Sequence, residues 1–303
     1  MTIPESAREK VYRYLGGKAD DYLARTDERL KKHAELWRLS DISLMPTNTV
    51  NFLFACESVL HGSCVLKMCV PDSEVAAEIK HLLFYNGKGY CKLWEYDLAD
   101  RVLLLERIFP GDQLRAVKDY RERARLLAMM VKEMPAVYSG AELFPSYLSW
   151  MEESYLKLSG MGDLEDMLYY LDKAIDIYSN LKCRHKQACL LHGDLHQENM
   201  LLNAEGCYTI IDPKGVVDDP VMETARFLIN ELPCAEDRII EMAGIIGSVT
   251  GVSVEDVLGS MFIDAALSES WSVGNIYPTI AAFEEAKRNA LDNCEFVYRL
   301  IKG

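Results

Sequence analysis

The chain has no apolar run long enough to span a bilayer, and its opening stretch, MTIPESAREKVYRYLGG, is too polar for a secretion signal. A cytoplasmic protein is therefore expected, and membrane partners are not. There is no CxxC pair, so a zinc ribbon or thioredoxin-type redox site has no support. The nine cysteines are odd in number and stand largely in apolar stretches (Cys56, Cys64, Cys69, Cys189, Cys207), as reduced, buried thiols do. No internal repeat or low-complexity segment occurs. Basic residues are also short: 33 Lys and Arg stand against 47 Asp and Glu, a net charge of −14. The deficit is uneven. Residues 1–107 carry 15 basic and 16 acidic side chains, whereas 108–303 carry 18 and 31. So acidic a second part disfavours nucleic acid, whose phosphates demand basic surface, and suits a cationic small molecule. Ordinary solubility charge is the plainer reading of the same numbers.

What is present is a globular chain of 303 residues, half of them hydrophobic, long enough for one large domain or two lobes. Its most informative stretch is Leu190–Gly215, LLHGDLHQENMLLNAEGCYTIIDPKG. Two short apolar runs, Met200–Leu202 and Tyr208–Ile211, flank a polar turn and predict a hairpin. Such a hairpin would hold two loops side by side, with Asp194, Asn199 and Asp212 at one end. These are the groups that phosphoryl transfer needs. A carboxylate orients the attacking hydroxyl and takes its proton, while an amide oxygen and a second carboxylate hold magnesium against the phosphates. Asp194 is the expected catalytic base, and Asn199 and Asp212 are the expected metal ligands. The Asp-to-Asn interval matches D-x-x-x-x-N of the kinase catalytic loop. His192-x-Asp194-x-His196 also has the donor types of a zinc site, but the other four histidines (His33, His61, His81, His185) have no partner His at short spacing.

The segment from His192 to Asn199 resembles the HGDLHxxN loop of the aminoglycoside phosphotransferases and related small-molecule kinases. IDPKG, standing where kinases carry DFG, is similar to the aminoglycoside/hydroxyurea kinase branch, which includes streptomycin 6-kinases. The likeness is strongest over 190–230, where it includes Asp219-Pro220 and Glu223. It implies an α+β, two-lobed protein-kinase-like fold: an antiparallel sheet with one helix in an N-terminal nucleotide-binding lobe (1–107, with extra helices over 5–38), and a mostly helical catalytic and substrate-binding lobe (108–303). ATP and two magnesium ions are the implied cofactors, and a hydroxylated small molecule such as an aminoglycoside is the implied acceptor. A metabolic kinase acting on homoserine, choline or a sugar is the alternative, and a non-catalytic nucleotide-binding protein of the same fold is another.

The remaining segments fit that frame. Residues 5–38 read as two helices broken at Gly16-Gly17. Val50–Cys56 and Cys64–Cys69 read as strands joined through Leu60–Ser63. Before them, Met45–Thr49 stands where a kinase-like fold covers the phosphates, yet it has no glycine; Thr47, Asn48 and Thr49 are the substitute donors. Lys67 is a lone cation in an apolar strand and needs a partner. The helix after Pro71 places Glu78 on the stripe of Val75, Ile79 and Leu82, so Lys67–Glu78 is the expected kinase-type pair, with Glu74 the rival off the stripe. A second hairpin, Tyr90–Tyr96 with Val102–Ile108, stops at Pro110-Gly111, and its backbone around Glu106–Ile108 is the implied adenine contact. Helices are expected over 114–134, 145–158, 164–181, 221–231, 237–247, 254–267 and 280–300. Among the residues after the metal loop, Asp219, Glu223 and Trp271 are the expected acceptor contacts, Glu223 foremost.

Overall fold

In the computed structural model, residues 3–46, 49–71, 74–140, 144–275, 277 and 279–302 are described. The chain forms two compact units. The first is Met1–Asp112 with Leu201–Lys214, and the second is Gln113–Met200 with Gly215–Gly303. The division therefore falls five residues beyond the expected 107, and the 201–214 hairpin belongs with the first unit. Ladder hydrogen bonds hold it there: Cys91 N–H donates to Ile210 O, and Ile210 N–H to Gly89 O.

The first unit begins with helices α1 (Glu5–Leu15) and α2 (Ala19–Leu36), separated by a single 3-10 turn at Gly16–Lys18. Gly16 takes φ +53°, a left-handed value that ends α1 where the Gly16-Gly17 pair predicts. Five antiparallel strands follow: β1 (Leu39–Leu44), β2 (Phe52–Ser58), β3 (Gly62–Met68), β4 (Leu93–Asp97) and β5 (Val102–Glu106), in the order β1-β2-β3-β5-β4. Helix α3 (Val75–Tyr85) lies between β3 and β4 in sequence.

The period of two in the strands assigns the two faces of this sheet. Phe52, Phe54, Cys56, Cys64, Leu66, Met68, Val102 and Leu104 point one way and form one core with Tyr22, Leu23 and Leu30 of α2. The rings of Tyr22 and Phe52 stack at 5.7 Å. Fully burying such side chains stabilises by about 1.5–3 kcal/mol each, which ties the N-terminal helices to the sheet. The intervening residues Leu53, Val65, Lys67 and Leu105 point the other way and line a cavity. Lys67 is thus buried because its strand has helices on one face and a pocket on the other.

The second unit is mostly helical: α4 (Tyr120–Glu133), α5 (Tyr147–Ser159), α6 (Glu165–Arg184), α7 (Ala225–Ile229), α8 (Glu236–Thr250), α9 (Val254–Val273) and α10 (Ile280–Lys302). Caps set several of the starts. Asp119 accepts the Arg121 N–H, Ser146 and Ser149 form a reciprocal capping box, and Ser253 accepts the Asp256 N–H. Helix α9 is buried along most of its length, which explains its apolar residues as core. No single helix among the described residues is long and apolar enough to cross a membrane. Three short strands, Ala136–Val137, Cys189–Leu191 and Val216–Asp218, make an antiparallel sheet with the middle one at its centre. The segment from His192 to Asn199 springs directly from that central strand. All nine cysteines are free.

Candidate active site

In the first unit, the Lys67 ammonium lies 2.7 Å from both carboxylate oxygens of Glu78 and also meets Oδ1 of Asp212. Glu78 is buried on α3 as the stripe of Val75, Ile79 and Leu82 requires. Burial works against the charged form of Lys67, but the Asp212 and Glu78 carboxylates more than offset it and hold the ammonium well above its ordinary value. Burial pushes the Glu78 carboxyl upward, with Lys67 pulling against it and Asp212 adding to it. One cation between two carboxylates leaves a negative charge in this corner, which suits it to a further cation. Asp212 adopts φ +60° just before Pro213, a left-handed conformation unusual for a residue other than glycine. Its side chain is 48% exposed, so it is reachable by a ligand while held by Lys67.

These groups border a cavity of about 240 Å³ that also includes Met45, Thr49, Cys91 and the run Glu106–Gly111. Glu106 spends a carboxylate oxygen on the Lys92 N–H at 3.0 Å, and its own N–H donates to Lys92 O. The connector from Glu106 through Ile108 therefore has its side chain anchored and its backbone along the cavity. Gly111 is required by its φ of +81°, since a Cβ there would stand 2.8 Å from Ile108 O. Thr49 borders the cavity, its hydroxyl accepting the Asn51 N–H at 3.2 Å. The expected phosphate-loop donors Thr47 and Asn48 lie outside the described residues.

In the second unit, Gly193 adopts φ +78°, and a Cβ there would sit 3.0 Å from Trp150 Cη2 and 3.0 Å from Val216 Cγ1. Only glycine fits this turn. The fully buried His192 and Gly193 both donate backbone N–H groups to Glu223, at 2.6 and 3.2 Å. Asp194 N–H donates to His192 Nδ1 at 3.0 Å. His192 thus shapes the turn, and His196 accepts the Glu198 N–H in a similar way. Neither belongs to a three-ligand metal cluster; among the described residues the one group with that geometry is His33, Asp97 and Asp100, which the Lys32 ammonium already bridges. Asn199 donates its amide N–H to Asp194 O at 3.1 Å, which assigns the amide oxygen to other contacts. Gln197 anchors the far end of the loop, donating to Phe227 O and to Glu231, itself paired with Arg123 and Arg238.

The Asp194 carboxylate, 26% exposed, stands 3.2 Å from Nε of Arg226, and Asp264 holds the same guanidinium at 3.0–3.1 Å. Burial raises the Glu223 carboxyl to about 7, against the pull of the two N–H groups, and the charges of Asp194 and Asp264 add to the rise. Asp194, Glu223, Arg226 and Asp264 are therefore one electrostatic cluster.

This geometry changes what is expected of two residues. Glu223 has both oxygens on the His192 and Gly193 amides. Asp219 has one on Val221 N–H and the other on Gln187 N–H. Buried carboxylates committed in this way support backbone rather than meet an acceptor. Trp271 packs edge-on against Trp150 with ring centroids 5.6 Å apart, and Trp150 touches the turn at Gly193. Sequence reasoning missed Arg226 and Gln197, and took Asp264 only as one of several acidic residues that could face an acceptor. A helical spacing of three from Glu223 was the available signal for Arg226, but nothing local sets Asp264 apart from the other acidic residues of its helix, Glu255, Asp256 and Glu269.

An antiparallel sheet with a lysine–glutamate pair, and a helical unit carrying an H-G-D loop, define a phosphotransferase of the protein-kinase-like class. Residues 47–274 match the aminoglycoside/hydroxyurea antibiotic resistance kinases. The chain belongs to that family. It is 23% identical to a hydroxyurea phosphotransferase of Kitasatospora aureofaciens over 286 residues, 91% of this chain and 78% of that one. It is also 23% identical to a streptomycin 6-kinase of Streptomyces glaucescens over 281 residues, 91% of this chain and 89% of the other. Among solved structures, a choline kinase from Streptococcus pneumoniae shares the fold with a TM-score of 0.64 at 12% identity, over 92% of this chain and 99% of that one.

Proposed function

We propose that this kinase transfers the γ-phosphate of ATP to a hydroxyl of a small antibiotic-like molecule in the cytoplasm, with Asp194 as the base. The observation that carries this reading is the buried Lys67 held by Glu78 and Asp212 at the edge of a cavity sized for a nucleotide base. Lys67, oriented by Glu78, would contact the α- and β-phosphates, and the Glu106–Ile108 backbone would receive the adenine. Asp194 would orient the acceptor hydroxyl and take its proton as the O–P bond forms. The donor set of an amide oxygen and a carboxylate fits magnesium, a hard cation that prefers oxygen. Asn199 and Asp212 would hold it, and when bound it neutralises charge on the phosphates. The net negative charge of the Lys67–Glu78–Asp212 group suits such a cation.

The relatives' names make streptomycin and hydroxyurea the first acceptors to try. Choline, homoserine and a neutral sugar represent the metabolic alternative. The test is ADP release from ATP with each acceptor, comparing the wild type with Asp194→Asn. Acceptor-dependent release by the wild type alone supports the reading. If ATP binds but no acceptor raises release above the variant's level, the chain binds nucleotide without this catalysis.

A further inference from the structure

Arg226 and Asp264 have no part in the kinase chemistry described so far beyond touching it, yet Asp264 is among the most deeply placed charges of the second unit and Arg226 is mostly covered. Asp264 lies on the buried helix α9 with 1% of its side chain exposed, and Arg226 on α7 with 15%. A buried charge pair is often no more stabilising than apolar packing of the same size, so its presence calls for a reason other than stability. The geometry supplies one. Nη2 of Arg226 donates to Asp264 Oδ1 at 3.1 Å. Nε stands 3.0 Å from Asp264 Oδ2 and 3.2 Å from Asp194 Oδ1, yet it is aligned for a hydrogen bond to neither. The guanidinium is thus held from behind by the Nη2 hydrogen bond to Asp264 and stands in ion-pair contact with Asp194 in front.

We propose that Arg226 is a positioning residue for the catalytic carboxylate: Asp264 aims the guanidinium, and the guanidinium fixes Asp194 through Oδ1. This rests on the reading of Asp194 as the base. Three carboxylates, Asp194, Glu223 and Asp264, crowd this corner, and their mutual repulsion would drive the exposed one, Asp194, outward. The planar guanidinium opposes that and restricts the Asp194 rotamer, where a lysine would supply charge without the fork. Holding a reacting group to a fraction of an ångström matters because a displacement of about 1 Å costs on the order of 10²-fold in rate.

The test measures kcat and both KM values for Arg226→Met, Arg226→Lys and Asp194→Asn, following ADP release with streptomycin, with hydroxyurea and with water alone. In whichever reaction the wild type performs, Arg226→Met should lower kcat by roughly 10²-fold. Both KM values should stay within about threefold, because an orienting role is felt in the transition state and not in ground-state binding. Arg226→Lys should fall between, and millimolar guanidinium should restore part of the Arg226→Met rate, which a scaffold role does not permit. Wild-type kcat in Arg226→Met overturns the inference, as does a loss that follows the fraction of folded protein and responds neither to lysine nor to guanidinium. Should Arg226→Met fail to fold, Arg226→Lys decides: a kcat loss of about tenfold or more at unchanged KM supports the role, and full activity ends it. An active Asp194→Asn overturns the base assignment itself, whereas an inactive Asp194→Asn beside a fully active Arg226→Met overturns this inference alone.

Discussion

Removing the Glu223 carboxylate tests how the turn at His192–Asp194 is held. Glu223 accepts two buried backbone N–H groups, from His192 at 2.6 Å and Gly193 at 3.2 Å. A buried donor left without an acceptor costs about 1–3 kcal/mol. Glu223→Ala orphans both, so the sum is about 2–6 kcal/mol; Glu223→Gln keeps one acceptor oxygen and forfeits about half of that. The upper figures are too large for this site. Burial has already raised the carboxyl to about 7, so the native group bears a desolvation cost that either substitution relieves. A loss of about 2–3 kcal/mol for Ala and about 1 kcal/mol for Gln is therefore expected. Urea unfolding of the three proteins measures it through the transition midpoint, provided the slopes match. The same turn carries Asp194, so kcat should fall in the same order, on the order of 10²-fold for Ala. The KM for ATP should hold, since the Lys67 group lies in the other unit and makes no use of Glu223. Wild-type stability and wild-type kcat in Glu223→Ala would refute the argument that these two hydrogen bonds hold the turn.

Because the Glu223 carboxyl is raised from an ordinary 4.5 to about 7, the folded chain binds this proton more tightly than the unfolded one does. Its contribution to stability is then fullest below about pH 4.5 and is lost as pH rises through about 7. Subtracting the Glu223→Gln stability curve from that of the wild type should give a difference that declines across this window, and a flat difference contradicts it. In the first unit, Lys67→Met removes the ammonium and leaves two carboxylates facing the nucleotide, so ATP affinity should drop by at least tenfold, as losing a hydrogen bond to a charged group costs about 1.5–3 kcal/mol. Glu78→Gln should weaken it less, because Asp212 still holds the ammonium; equal binding of ATP by wild type and Lys67→Met in a calorimeter would remove Lys67 from the nucleotide site.

Much of this was legible in the sequence because the signals were local and periodic. The Gly16-Gly17 break, the stripe that buries Glu78 and the alternation that isolates Lys67 each depend on residues within one or two turns of chain. Other features were not local. Strand β1 is half exposed and alternates weakly, so Leu39–Leu44 carries little strand signal of its own. The three-residue strands at Cys189–Leu191 and Val216–Asp218 are too short to show a period, yet they place the turn that carries Asp194. The expected helices over 114–134 and 221–231 begin later than their apolar patterns do, after 3-10 turns at Leu114–Ala116 and Pro220–Thr224. Glu223 was singled out as an acceptor contact, and its oxygens lie on two backbone amides. A carboxylate that opens a helix reads the same whether it faces an acceptor or two backbone amides 30 residues away. The contact of Lys67 with Asp212, 145 residues apart, had no sequence signal beyond the motifs themselves.

The central claim is that Asp194 does proton chemistry on an acceptor hydroxyl while the Lys67 group binds ATP without its help. Measuring magnesium-ATP affinity by calorimetry beside kcat for Asp194→Asn tests it most directly. Nucleotide affinity should stay within about threefold of the wild type while kcat falls by about 10²–10⁴-fold, the range general-base catalysis supplies. A variant that keeps its turnover, or one that loses ATP binding together with turnover, contradicts the account.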